Sequence, residues 1–163
     1  MDCYTCELSA RRRAGNAPLW DNVYQTELWD VAHSYNTALP GWMVLIVRRH
    51  IEAVGELTAV ESAELGDLIR RVSIALTAVT GCAKTYVVQF AEAADHPHVH
   101  FHIIPRMADQ PDAWRGAGIF KALGVDEDVR VDEAAMNAIA REMRAILENG
   151  ESVLSPHPVP PML

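Results

Sequence analysis

His96-Pro97-His98-Val99-His100-Phe101-His102-Ile103-Ile104-Pro105-Arg106 carries four of the chain's seven histidines, one at every second position. Successive side chains of an extended strand point to opposite faces, so the alternation predicts His98, His100 and His102 on one face and Val99, Phe101 and Ile103 on the other. A solvated strand face is normally furnished with Thr, Ser, Lys or Glu, and a row of imidazoles is poor material for it. The histidine row is therefore read as a site and the apolar row as core.

Around this segment the chain supplies a sheet and two helices. Val23 to Thr26, Trp29 to His33 and, after the Pro40-Gly41 turn, the apolar run Trp42 to Val47 predict three consecutive antiparallel strands. Thr58-Ala59-Val60-Glu61 is a capping box. Leu65, Leu68, Ile69, Val72, Leu76 and Val79 then repeat at helical spacing until Gly81, which predicts a long amphipathic helix over one face of the sheet. Tyr86 to Phe90 predicts a fourth strand, and the histidine segment is the fifth, punctuated by Pro97 and Pro105. Met107 to Asp128, rich in Gly, Pro, Asp and Ala around Trp114, is an irregular connection with a helical turn near Ile119 to Leu123; long connections in compact domains often serve a site. A second helix runs from an Asp132 cap to Asn149, with Met136, Ile139, Met143 and Leu147 as its buried stripe and Gly150 after it. Ser9 to Pro18 is read as a loop whose Arg11, Arg12 and Arg13 are solvated. The expected architecture is one α+β domain over residues 1–150, an antiparallel sheet of about five strands with two main helices, followed by an extended proline-rich tail over 151–163.

Composition narrows the function classes. A chain of 163 residues, half of them apolar, suffices for one domain with its own core. A formal net charge of -8 argues against a general grip on nucleic acid backbones, so any phosphate must be met locally. No apolar run is long enough to cross a bilayer, and Met1-Asp2-Cys3-Tyr4-Thr5-Cys6 lacks the charged and apolar regions of a secretory signal, so a cytoplasmic protein without a membrane partner is expected. Three cysteines in a reducing compartment do not make a disulfide framework; Cys3 and Cys6 invite a metal or redox reading, and Cys82 that of a small buried residue.

Several histidines on one strand suit a metal site, general acid and base catalysis, or a histidine nucleophile attacking phosphorus. A catalytic zinc centre built on His-x-His usually adds an Asp or Glu within a few residues, whereas positions 99, 101, 103 and 104 are all apolar, which weakens the metallohydrolase reading.

His98-Val99-His100-Phe101-His102-Ile103-Ile104 resembles the His-φ-His-φ-His-φ-φ signature of the histidine triad (HIT) superfamily of nucleotidyl hydrolases and transferases. Pro40-Gly41-Trp42 through Arg49-His50 is similar to that family's Pro-Gly-His strand, and Leu57-Thr58 with the following helix to its Leu-Thr-x-x-Glu opening, so residues 3 to 106 can be matched. The resemblance implies that His100 attacks the α-phosphorus of a nucleotide conjugate, of the phosphoramidate or dinucleoside polyphosphate class, and forms a covalent nucleotidyl-histidine. It implies that His102 donates to the phosphate or leaving group, that His98 orients His100, and that the protein is a homodimer. A nucleotide-sugar type of nucleotidyltransferase and a non-catalytic nucleotide- or zinc-binding module are the alternatives.

The chain departs from the family before the triad, where a Gly-Gln-Ser/Thr run is replaced by Ala93-Ala94-Asp95-His96-Pro97. Asp95 would repel a phosphate, and His96 is the candidate replacement donor. Gln89 and Arg106 are further candidates for substrate contact, while Trp42, in the place of a frequent His, is read as core. Some branches of the resembling family hold a structural zinc, which implies the set Cys3, Cys6, His50 and His98 as its ligands here.

Overall fold

The computed structural model describes residues 3–150, so the proline-rich tail lies outside the described residues. Three helices, α1 (Tyr4–Arg13), α2 (Ala59–Thr80) and α3 (Glu133–Asn149), accompany five strands, β1 (Tyr24–Gln25), β2 (Trp29–His33), β3 (Met43–Val47), β4 (Lys84–Val88) and β5 (His100–Arg106). The strands form one antiparallel sheet in the order β1-β2-β3-β5-β4. The histidine strand is thus internal, between β3 and β4. Pro105 is tolerated there because the ladder to β3 stops at Ile103, before the missing N–H is needed.

The expected elements form, with a shift in β4. Thr58 caps α2 by accepting from Glu61 N–H while the Glu61 carboxylate returns to Thr58, and Gly81 ends the helix in the left-handed conformation. Asp132 caps α3 by accepting from Ala135 N–H. β4 begins and ends two residues earlier than the expected Tyr86 to Phe90. The Met107 to Asp128 connection contains three 3-10 turns, at Asp112–Trp114, Gly116–Ala122 and Glu127–Val129. No helix among the described residues is long and apolar enough to cross a membrane.

One face of the sheet carries Trp29, Val31, Met43, Leu45, Val47 and Ile103 against Leu65, Leu68, Val72 and Leu76 of α2 and Ala140, Met143 and Leu147 of α3. Each such aliphatic side chain, fully buried, contributes about 1.5–3 kcal/mol, so this layer is the rigid backing of the site. Gly41 is needed at its edge: its φ is 86°, and a Cβ there would stand 2.9 Å from Thr80 Cγ2.

The other face has two covers. The 3-10 connection places Ile119 and Ala122, with Phe120 and Leu123, against Trp42 and Ile104. The second cover corrects the reading of Ser9 to Pro18 as a loop, because Tyr4 to Arg13 is a helix and Arg12, far from being solvated, is 4 % exposed. Glu7 in the first turn and Arg11, Arg12 and Arg13 in the last complement the helix dipole, a local signal for α1 that was present in the sequence. Arg12 donates from Nη2 to Asp21 Oδ1 at 2.6 Å and from Nε to the Asp21 carbonyl at 2.6 Å, and its Nη1 stands 3.7 Å from Asp30 Oδ2. Asp30, fully buried on β2, also accepts from Arg48 Nε at 2.8 Å. Burial of these charges holds because they are paired.

Candidate functional site

Between the two covers lies a cavity of about 290 Å3. Its floor is the polar-side row of the sheet, Ala32, Val44, Ile46, His100 and His102; α1 contributes Thr5, Leu8 and Arg12, and the far wall is Phe90, Phe120 and Leu123. The loop after β2 brings Ser34, Tyr35 and Asn36 to the same space. A mostly apolar cleft with a few convergent polar groups is the usual form of a small-molecule site.

His100 and His102 share this face as the alternation predicts, with ring centroids 5.0 Å apart. His98 does not. The strand begins only at His100, and a tight turn with His98 N–H on the His96 carbonyl at 2.7 Å breaks the alternation before it. Pro97 removes one backbone donor and biases His96 away from the helical region, so the chain bends before entering the sheet. His98 is fully buried and its ring is directed away from the cavity, toward β3 and the two N-terminal cysteines.

The hydrogen-bond partners fix the proton on each ring, because a carbonyl can only accept and an indole N–H can only donate. His98 Nε2 lies 2.6 Å from the Val47 carbonyl and therefore carries the proton, leaving Nδ1 as a free lone pair. His100 Nδ1 donates to the His98 carbonyl at 2.7 Å, which leaves its Nε2 unprotonated. His102 Nδ1 accepts from Trp42 Nε1 at 2.9 Å, which places its proton on Nε2. Burial lowers the pKa of His100, and burial followed by the nearby His100 pushes His102 down to about 3. Both rings are neutral at neutral pH.

The other expected contacts separate into those at the cavity and those away from it. His96 lines it, with Nδ1 2.7 Å from Thr5 Oγ1 and the Tyr4 ring edge-on at 5.3 Å. Gln89, just beyond β4, and Arg106, at the end of β5 with Nη1 on the Met107 carbonyl, do not line it. Trp42, read from the sequence as core, is fully buried and also holds His102. Its place in the run where the resembling family has a histidine was the available signal. His33, missed altogether, donates from Nδ1 to the Ser34 carbonyl at 2.7 Å and accepts Gly41 N–H at 2.9 Å on Nε2, bracing the loop that lines the cavity. Burial pushes it down to about 4, so it stays neutral in that brace.

Behind His98, one ligand atom from each of Cys3, Cys6, His50 and His98 lies within 4.8 Å of the others. The Cys6 thiol is 3.3 Å from His50 Nδ1 and 3.4 Å from His98 Nδ1, and the Cys3 thiol is 3.7 Å from His98 Nδ1. Burial, then the adjacent Cys3 thiol, push Cys6 up to about 11. His98 offers its free lone pair to this cluster, and the opposite nitrogen of His50 stands 3.5 Å from Glu52. Two thiols and two imidazoles so arranged fit a tetrahedral cation of the zinc type, which would displace both thiol protons.

The fold is similar to that of a zinc-bound histidine triad family protein from Mycobacterium smegmatis, with a TM-score of 0.66 and 16 % identity over 94 % of this chain and 99 % of that one. A hypothetical histidine triad nucleotide-binding protein from Sulfolobus tokodaii aligns with a TM-score of 0.65 and 18 % identity over 88 % and 93 % of the two chains. A histidine triad protein from Bradyrhizobium japonicum gives 0.62 and 25 % identity over 76 % and 87 %. No curated protein matches in sequence. The sequence model of the HIT domain matches residues 20–109, more than half of the chain and the stretch that contains β1 through β5, and with this match the chain belongs to the histidine triad family.

Proposed function

We propose that this protein is a nucleotidyl hydrolase or transferase that binds a nucleotide conjugate in the cavity and reacts at its α-phosphate through a covalent intermediate on His100. The observation that carries the reading is the proton placement on His100: Nδ1–H is committed to the His98 carbonyl, and the lone pair of Nε2 is the nucleophile on a ring kept neutral by burial. In the first step the Nε2–P bond forms while the bond from phosphorus to the leaving group breaks, and positive charge arising on the ring is drawn toward the His98 carbonyl. The leaving group departs with a proton, for which His96, which lines the cavity wall, is a candidate donor. In the second step water adds at phosphorus, the N–P bond breaks, a proton is released and the nucleoside monophosphate leaves. Ser34 and Asn36 line the same cavity and are assigned to the sugar hydroxyls, and the apolar wall to the base. The nucleotide-binding description of the Sulfolobus tokodaii neighbour supports the ligand class.

Cys3, Cys6, His50 and His98 are read as holding a structural zinc in a cytoplasmic, thiol-preserving setting, supported by the zinc-bound neighbour. β4 is one of the two sheet edges, with Val87 on it and Phe90 just beyond it exposed, and a second copy pairing there would complete a homodimer.

His100→Ala is expected to abolish turnover of adenylyl phosphoramidates and dinucleoside polyphosphates while nucleoside monophosphate affinity stays within a few-fold. An acid-labile nucleotidyl adduct on the wild-type chain, absent from the variant, confirms the nucleophile. Retained turnover in His100→Ala refutes it, and monophosphate binding without turnover by the wild type supports a binding module instead.

A further inference from the structure

We propose that Trp42 is a positioning residue whose indole N–H holds His102 as the uncharged, Nε2-protonated tautomer, so that His102 meets the substrate as a fixed hydrogen-bond donor and never as an imidazolium acid. The proposal rests on the reading of the cavity as a nucleotidyl-transfer site, and its geometry is independent of that reading.

Indole has one polar hydrogen and no acceptor, so the 2.9 Å contact between Trp42 Nε1 and His102 Nδ1 has a single polarity. A histidine at position 42 could reverse the bond by changing tautomer; a tryptophan cannot. Adding a proton to His102 would require Nδ1, the atom already receiving the indole hydrogen, and would set N–H against N–H. Trp42 has no room to turn away, being fully buried, with its ring edge-on to Phe120 at 5.4 Å and to His102 at 5.7 Å. Phe120 closes a further side of the His102 ring at 5.7 Å. The titratable group packed against His102 is His100, at 5.0 Å between centroids, and Glu92 and His96 line the same cavity. Because the cavity lining includes His102 but not Trp42, the nitrogen left for the substrate is Nε2, with its hydrogen. The depressed pKa of His102, near 3, agrees with a ring that resists charging.

The consequence is a division of labour within the triad. His100 supplies an electron pair, His102 a fixed neutral donor to a non-bridging phosphate oxygen, and the leaving-group proton has to come from elsewhere. A neutral donor already in place strengthens as charge accumulates on the phosphate, without any reorganisation.

The test begins with the wild-type protein, 15N-labelled at histidine. Between pH 5 and pH 8 the His102 ring should show the spectroscopic signature of a protonated Nε2 and an unprotonated, hydrogen-bonded Nδ1 throughout. A His102 signal of the Nδ1-protonated form, or one that titrates to imidazolium in that range, overturns the proposal whether or not any substrate is turned over. Trp42→Phe removes the donor and keeps an aromatic ring. It should release His102 into a mixture of tautomers and lower kcat about tenfold, the worth of one neutral hydrogen bond, with KM within about twofold. An unchanged kcat in a folded Trp42→Phe protein overturns the catalytic part. Absence of any adduct or turnover in the wild type counts against the nucleotidyl-transfer reading and leaves the tautomer assignment to the spectrum alone.

Discussion

Arg12→Leu should destabilise the protein by about 3–5 kcal/mol, the cost of stranding a buried carboxylate whose partner has been removed. Arg12 and Asp21 are 4 % and 5 % exposed, and the substitution takes the Nε and Nη2 donors from both the carboxylate and the backbone carbonyl of Asp21. Asp30 loses a neighbour at 3.7 Å but keeps Arg48, so Asp21 bears most of the loss. With a denaturant dependence of about 2 kcal/mol/M, the urea midpoint falls by roughly 2 M. The pH dependence follows from the sign of the shift. Burial already raises the Asp21 pKa against the opposing pull of Arg12, and removing Arg12 raises it further. The penalty is therefore largest where the carboxylate must be charged, at neutral pH, and declines as pH falls through the raised folded value toward the unfolded one. Arg12→Leu combined with Asp21→Asn should recover much of the stability. The assay is urea unfolding at pH 7 and pH 4 for both variants. A loss below about 1 kcal/mol, or the same loss at the two pH values, would show that Arg12 behaves as the solvated arginine its sequence context suggested.

Two further expectations concern metal and assembly. Elemental analysis of untagged protein purified without chelator should find one zinc per chain, and Cys3→Ser with Cys6→Ser should lose both the metal and thermal stability; zinc content unaffected by that double change rejects the ligand set. Light scattering at micromolar concentration should give a dimer that a charged residue at Val87, on the exposed β4 edge, reduces to a monomer; a wild-type monomer rejects the pairing.

How far the residues by themselves determine this protein follows the range of the interactions involved. The two-residue period of His100 to Ile103, the Thr58–Glu61 capping box, the Gly81 stop and the Asp132 cap act within a few positions, so β5, α2 and α3 are legible in the sequence alone. The signature of the triad pointed to the family for the same reason. Tertiary structure decided what depends on distant partners. β5 lies between β3 and β4, an order no local pattern encodes. His98 leaves the row because a turn at Pro97 carries it to Val47 and to cysteines more than ninety residues away in sequence. Arg12 is buried because Asp21 and Asp30 wait on other elements, and Trp42 is part of the site because β3 sets its indole against His102 on β5. Residue type prescribes what each group can donate or accept; only the assembled sheet and its two covers determine which group it meets, and hence where each proton resides.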